Sequence, residues 1–322
     1  MNEYLNEWYE KNESRVFDLM HDIWKHPELG FDTHYACQAT AEFARQEGFS
    51  VEVRDAEDFD NPEAKPNTVI ARWGEGKPVI GIVGELDALP NLGEKEGVCH
   101  YEPVPGPGHG CGHNMMAGGA AAAAAALKYA MEKEGLSGTV ELIEAPAEEV
   151  GQGKYLLAEA GVFEGLDMAL MWHSGPGLLW FDPKSGMVAF TVNFRFKGKA
   201  AHAAGFPYKG RSALAAVQLM NIGCEFLREH TQRHVLIHYC ITDGGTAPNV
   251  VPDSAASKYM FRADKDFDAC NDAFKRAVKI AQGAAMMTET EMEYEVESVV
   301  PEFYLNLRCA DMSMRLIKRC LR

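Results

Sequence analysis

Apolar and polar positions along the first third of the chain predict helices followed by strands. In residues 4–47 the apolar residues recur at helical spacing and are interrupted once, at His26-Pro27-Glu28-Leu29-Gly30, which predicts two amphipathic helices with a turn between them. Runs rich in β-branched residues predict strands at 50–54, 68–73 and 79–83. Helices after Asn114 and near Gly153–Ala160 then alternate with strands at 139–143 and 167–172. This alternation predicts an α/β fold with a doubly wound mixed sheet, covered by helices on both faces.

The pattern changes near Gly186. The remaining segments predict the order β-α-β-β-α-β, with strands at 188–196, 235–242, 255–262 and 291–297 and helices at 212–229 and 267–283. That order is typical of a ferredoxin-like module. We therefore predict a first domain over residues 1–185, an inserted domain over 186–298, and a return to the first domain over 299–322. Residues 307–322 are basic in an otherwise acidic chain, and they fit either a short helix or an unrelated tail.

Composition narrows the class of protein. The 322 residues carry a net charge of −16, which argues against nucleic acid or an anionic membrane as a partner. The longest charge-free stretch near the alanine tract, 115–127, is too short to span a bilayer. Eight cysteines without disulfide-dense spacing, and a first segment without a basic and then apolar leader, predict a cytoplasmic protein.

The run Gly108-His109-Gly110-Cys111-Gly112-His113-Asn114 carries the first candidate chemistry. Cys111 and His113 are two residues apart in a turning segment, so their side chains can face one ion. Thiolate and imidazole together suit zinc, manganese, nickel or cobalt. The plainer alternative is a buried thiol beside a solvated histidine, and His109 could serve only to shape the loop.

Three further segments offer groups that would complete such a site. Glu148 and Glu149 follow an apolar strand, so one could bind metal while the other holds a water, as metal-assisted hydrolysis requires. His173 ends another strand as a candidate ligand, and Asp87 could orient an imidazole. Each also has a structural alternative: a solvated acidic turn for the pair, a capping or core histidine, and a turn cap before Pro90.

These motifs together resemble a known family. They are Gly84-Glu85-Leu86-Asp87-Ala88-Leu89-Pro90, the Gly108–Asn114 run, Pro146-Ala147-Glu148-Glu149, Trp172-His173, the stretch 198–204 around His202, and 245–252 around Asn249. Their order resembles that of the aminoacylase and carboxypeptidase family of dinuclear metallopeptidases, in its amidohydrolase branch. The resemblance extends from about Trp24 to about Asn306.

The resemblance implies a role for each residue of the site. Cys111, His113, Glu149 and His173 correspond to ligands of two divalent metal ions, with Zn or Mn favoured over Ni or Co. Glu148 corresponds to the general base that activates the bridging water, and Asp87 to an aspartate behind the ligands. Glu85 stands where other branches carry a ligating histidine and is not assigned as a ligand.

The second domain also has counterparts in the family. His202 corresponds to a histidine of the lid domain that reaches into a partner subunit's site and stabilises the oxyanion. Asn249 corresponds to a residue near the substrate's carbonyl or carboxylate, and Arg262 to a guanidinium that holds the substrate carboxylate. Structural roles are the alternative for all three. The resemblance implies a homodimer through the lid domain, or an assembly with a paralogous subunit.

The expected function is metal-dependent hydrolysis of the amide bond of an N-acyl amino acid or an aminobenzoyl-glutamate-like substrate. One alternative is a dipeptidase of the same family, perhaps for dipeptides with a basic residue. Another is a catalytically inactive homologue that acts as a structural subunit, and a third is a thiol enzyme with Cys111 as nucleophile and His113 as base. The last histidine is His238, whereas the family carries a later ligating histidine, so we expect a truncated or frame-shifted end after about Asn306.

Overall fold

A computed structural model describes residues 2–175, 187–301 and 306–320 of the chain. Residue contacts divide it into two units, Met1–Pro176 and Gly177–Arg322. The predicted domain boundaries stay a prediction, and the one between 185 and 186 lies outside the described residues. No helix in the described part of the chain is long and apolar enough to cross a membrane.

The first unit alternates helices and strands much as the sequence predicts. Its elements are α1 (Asn2–Lys25), α2 (His34–Gln46), β1 (Ser50–Arg54), β2 (Thr68–Glu75), β3 (Val79–Glu85), β4 (Gly93–Glu94), β5 (Pro103–Val104), α3 (His113–Glu134), β6 (Gly138–Ala145), α4 (Gly153–Glu159) and β7 (Met168–Met171). The β4–β5 ribbon is the addition. Its two-residue strands are too short to leave a period in the sequence.

A five-stranded mixed sheet forms the centre of this unit. Its strand order is β1-β2-β6-β3-β7, with β3 parallel to both β6 and β7 and the β1-β2-β6 pairs antiparallel. Ile82 and Leu142 face a core shared with α1, α2 and α3, whereas Val83 and Ile143 face a smaller core that Leu157 of α4 closes. Helices thus cover both faces, and the predicted α/β class with a mixed sheet is confirmed.

Small residues allow α3 to pack closely in the larger core. The alanines of its tract are mostly buried, and a Cβ at Gly118 would lie 2.4 Å from Met20 Cγ of α1. A Cβ at Gly119 would lie 2.9 Å from the indole nitrogen of Trp172. Close packing holds the first turn of α3, which carries His113, against the carboxyl ends of the parallel strands.

The second unit is a four-stranded antiparallel sheet covered on one face by two helices. Its elements are β8 (Met187–Lys197), α5 (Ala213–Arg228), β9 (Val235–Asp243), β10 (Ser254–Asp264), α6 (Phe267–Thr288), β11 (Glu291–Val300) and α7 (Leu307–Cys320). The strand order is β11-β8-β10-β9. Alternate residues of β8 and β10, such as Phe194 and Phe261, face the core with α5 and α6. Between the two alternatives for the basic end, the structure has a helix.

Candidate active site

Gly112 shapes the loop that presents Cys111 and His113. Its φ of +80° is a conformation that favours glycine, and it directly precedes α3. A Cβ there would lie 2.5 Å from Ser174 Oγ, and Ser174 Oγ in turn donates to the Cys111 carbonyl. The glycine between the two candidate ligands therefore permits both the turn and the close approach of the segment that carries His173.

Asp87 connects three parts of the site. The Nδ1 of the fully buried His113 lies 2.8 Å from the Asp87 carbonyl oxygen and 3.3 Å from its Oδ1. The backbone N–H groups of Glu148 and Glu149 donate to Asp87 Oδ1 and Oδ2 at 3.1 and 3.0 Å. With Nδ1 as the donor to Asp87, the lone pair of His113 Nε2 points away from Asp87 and toward the other candidate ligands.

The turn between β6 and the glutamates is strained. Ala147 has a φ of +54° and is fully buried, an unusual conformation for a residue with a side chain. Its N–H donates to the Gly30 carbonyl at 3.0 Å. Together with the two bonds to Asp87, this contact directs Glu148 and Glu149 toward His113.

Donor atoms from four segments surround His113 Nε2. It lies 3.1 Å from Glu85 Oε2, 3.8 Å from Glu148 Oε2 and 3.9 Å from Glu149 Oε1. Cys111 Sγ lies 3.3 Å from His173 Nε2. Two groups have ligand atoms that all lie within 4.8 Å of one another, namely Cys111, His113 and His173, and Glu85, His113 and Glu148.

The chemistry of these atoms fits a cation. His113 Nε2, Glu85 Oε2 and Glu149 Oε1 are buried and have no hydrogen-bond partner among the described residues. All three are electron-pair donors, and leaving buried polar atoms unpaired is costly. A bound divalent ion would satisfy them together, and thiolate, imidazole and carboxylate are the donors that zinc and its neighbours accept. The structure therefore contains groups that could hold metal.

Burial and negative charge shift the titration of the site. Burial, then Glu149, raises the pKa of the Cys111 thiol to about 12. Burial, then Glu85, also raises the pKa of Glu148, while Lys154 and His113 oppose the shift. Burial alone would lower the pKa of His113, but the bond to Asp87 and the charge of Glu85 outweigh it and raise that pKa. A thiol nucleophile needs a lowered pKa, so these charges disfavour the thiol-enzyme alternative.

His109 lies in the same loop but titrates differently. It is buried, and desolvation, then His113, lowers its pKa to about 4. The neutral imidazole lies behind the loop and is not in either group of candidate ligands. This placement suits the loop-shaping alternative.

The structure thus brings together six of the residues that the sequence singled out, and adds one. Cys111, His113, Glu148, Glu149, His173 and Asp87 meet at one end of the sheet; their individual roles stay predictions. Glu85, which the sequence did not assign as a ligand, lies among them. A detectable signal was present: Glu85 and Asp87 flank one residue at the end of a buried strand, and period-two geometry directs both to one side.

The three candidates of the second unit are divided between two places. His202 pairs with Val250 in an isolated bridge, and the Asn249 carbonyl accepts from Ala203 N at 3.0 Å, so His202 and Asn249 lie in adjacent loops. Arg262 lies near the far end of β10, where its Nε contacts Met260 Sδ at 2.9 Å. It is eight positions from Ser254, the first residue of β10, roughly 26 Å at strand spacing, so this unit does not bring Arg262 to the other two.

Comparison with known proteins gives consistent matches. The family model for peptidase family M20/M25/M40 matches residues 81–314. The chain is 39% identical over 306 residues to one of the two kinds of subunit of the p-aminobenzoyl-glutamate hydrolase of Escherichia coli (strain K12), covering 94% of this chain and 62% of that protein. It is 31% identical over 296 residues to the Xaa-Arg dipeptidase of Mus musculus, covering 89% of this chain and 65% of that protein. It therefore spans less than two thirds of the length of either relative.

One solved structure shows the same fold. It is the aminobenzoyl-glutamate utilization protein from Klebsiella pneumoniae, which superposes with a TM-score of 0.72 at 21% identity, covering 95% of this chain and 81% of that one.

Proposed function

The chain belongs to peptidase family M20/M25/M40, and on that premise we propose that it is a metal-dependent amidohydrolase. Its substrate would be an N-acyl amino acid or an aminobenzoyl-glutamate-like amide, as the name of the 39% identical relative suggests. The observation that carries the proposal is the meeting of buried, unpaired donor atoms around His113 Nε2.

Cys111, His113, Glu149 and His173 are the proposed ligands. They would hold two divalent ions, with zinc or manganese favoured and nickel or cobalt accepted by the same donors. Such ions, when bound, polarise the substrate carbonyl and make a water acidic enough to deprotonate near neutral pH. Asp87 keeps the lone pair of His113 Nε2 directed into the site through the contact at Nδ1.

Glu148 is the proposed general base. Its carboxylate lies 3.8 Å from His113 Nε2 and is partly exposed, so it can reach a water that the substrate also reaches. Burial raises its pKa, which improves it as a proton acceptor. Glu148 would take the proton of the attacking water and pass it to the leaving amine.

The second unit is the proposed lid and dimerisation domain. Its element order and strand order match the ferredoxin-like pattern expected of that module. His202 would offset the charge of the oxyanion in a partner subunit's site, and Asn249 would contact the substrate's carbonyl or carboxylate. Arg262 was predicted to hold the substrate carboxylate, and its distance from His202 and Asn249 supports a structural role instead.

An apolar strip supports a dimer through this unit. Ile222 and Phe226 lie one helical turn apart on α5, and Tyr239 and Ile241 lie beside them on β9, the edge strand of the sheet; all four are exposed. Exposed apolar surface next to an open edge strand is typical of an interface. The partner would be a second copy of the chain, or a paralogous subunit, which the name of the bacterial relative suggests.

Phe226→Glu is expected to dissociate such a dimer. Phe226 is 72% exposed, so the monomer should tolerate the charge, whereas a buried interface would not. Met286→Glu is the matched control, because Met286 is 82% exposed on α6 and lies outside the strip. Sedimentation should give a dimer for the wild type and Met286→Glu and a monomer for Phe226→Glu; three identical profiles would refute this interface.

The substrate class is tested by a direct assay. The full chain, loaded with Zn²⁺ or Mn²⁺, should hydrolyse p-aminobenzoyl-glutamate with a kcat/KM at least about tenfold above that for dipeptides with a carboxyl-terminal arginine. The reverse order would favour the dipeptidase, in line with the 31% identical relative. Bound metal without hydrolysis of either substrate would favour the inactive homologue.

The cytoplasmic location also remains a proposal. The described cysteines are free thiols, which suits a reducing compartment.

A further inference from the structure

Glu85 has two carboxylate oxygens with different surroundings. The side chain is 1% exposed at the end of β3. Oε1 accepts from the Lys154 ammonium, whereas Oε2 has no hydrogen-bond donor among the described residues. Oε2 instead lies 3.1 Å from His113 Nε2 and 3.9 Å from His173 Nε2. One oxygen is therefore fixed by a cation of the protein, and the other faces two candidate metal ligands.

The contact between Glu85 and His113 is unfavourable without a cation between the two atoms. Because His113 uses Nδ1 for Asp87, its Nε2 lone pair meets the lone pairs of Glu85 Oε2. Two donor atoms on one tetrahedral ion at about 2.0–2.2 Å lie roughly 3.3–3.6 Å apart. The observed separation of 3.1 Å is close to that of neighbouring ligands on one ion.

Lys154 is held where it can fix Glu85. It is the second residue of α4, and a Cβ at the preceding Gly153 would lie 1.7 Å from the Pro146 carbonyl oxygen. The start of α4 therefore packs directly on the turn that carries Glu148 and Glu149. From there the lysine reaches back across the turn to Glu85, and its side chain is about one-third exposed.

The geometry points to Glu85 as an additional oxygen ligand of the metal site, with Lys154 as the positioning residue that holds it. This inference rests on the proposed function, because it requires a metal at His113. Lys154 limits rotation of the carboxylate and keeps Oε2 toward His113. It also adds positive charge to a site with a thiolate and four carboxylates, Glu85, Asp87, Glu148 and Glu149, which reduces the repulsion that bound ions must overcome.

Metal binding by full-length variants tests the inference without an activity assay. Glu85→Gln keeps the size of the side chain and removes its charge, and we expect metal affinity to fall at least about tenfold. Lys154→Met should lower the affinity by a smaller factor, and Lys154→Arg should restore part of it. Affinity is measured by competition with a chromogenic chelator, and metal per chain by elemental mass spectrometry. With Co²⁺, the visible absorption bands should change in Glu85→Gln, because they report the ligand set.

The matched control is Lys77→Met. Lys77 pairs with Asp167 in the same unit, away from the candidate ligands, so its loss should leave metal affinity and the Co²⁺ spectrum unchanged. If Glu85→Gln does not fold by circular dichroism, Lys154→Met against Lys154→Arg carries the test.

The outcomes separate this inference from the proposed function. Wild-type metal affinity and an unchanged Co²⁺ spectrum in both Glu85→Gln and Lys154→Met would overturn the role of Glu85 and leave the amidohydrolase proposal standing. A wild-type chain that binds no divalent ion would overturn both. An equal loss of affinity in Lys77→Met would reduce the effect to general destabilisation and would also count against the inference.

Discussion

Glu148→Gln is expected to lower kcat about 10²- to 10⁴-fold, the range that a positioned general base contributes, while the chain keeps its metal. Glutamine has the same shape but cannot accept the proton of the attacking water. The backbone bond from Glu148 to Asp87 does not involve the substituted group, so the turn and the neighbouring ligands should stay in place. Steady-state kinetics and metal content, measured on the same preparation, check both halves of the expectation.

Glu149→Gln is the matched comparison, because it makes the same change one residue along. Glu149 Oε1 is a buried donor without a hydrogen-bond partner among the described residues, so its replacement should lower metal content as well as kcat. If Glu148→Gln loses as much metal as Glu149→Gln, the division of roles between the two glutamates is wrong.

The pH profile gives an independent check on the base. The pKa of Glu148 is raised from 4.5 by burial, and the base works only when ionised. Wild-type kcat should therefore fall as the pH is lowered through that raised pKa, and the residual activity of Glu148→Gln should lack this limb. An unchanged acid limb in the variant would assign the limb to another group.

The strands that carry the site were predictable because each leaves a periodic signal. β1 has the predicted bounds, and β3 and β6 extend past theirs by residues that remain in the sheet. The carboxyl ends of parallel strands meet at one edge, so Glu149 and His173 could be expected near Cys111 and His113 before any coordinates. Conversely, α6 runs to Thr288 instead of ending at Gly283, because Ala284 and Ala285 continue the buried face.

Glu85 and Arg262 show where the sequence was insufficient. Whether Glu85 faces the site depends on Lys154, which lies 69 residues away and belongs to a short helix on the other side of the sheet. No local pattern reports such a contact. Arg262 aligned with a motif, but its position along β10 depends on the register of that strand, and the register puts it opposite Ala189 and Leu236, far from the loop of His202.

Removal of metal is expected to abolish hydrolysis and to lower the thermal stability of the chain. Without an ion, the buried donors of Glu85, His113 and Glu149 face one another unpaired, so the folded state loses a ligand that the unfolded state does not bind. At a metal concentration about 1,000 times the Kd, binding stabilises the fold by about 4 kcal/mol. Dialysis against a chelator should therefore lower Tm and activity together, and added Zn²⁺, Mn²⁺ or Co²⁺ should restore both.

Two cysteine variants show whether that dependence arises at the proposed site. Cys111→Ser should need more metal to reach full activity and full Tm, because a hydroxyl is a poorer ligand than a thiolate for these ions. Cys99→Ser changes an exposed free thiol and should titrate like the wild type. Activity that survives exhaustive chelation but disappears in Cys111→Ser would instead favour the thiol enzyme, since a nucleophilic cysteine needs no divalent ion.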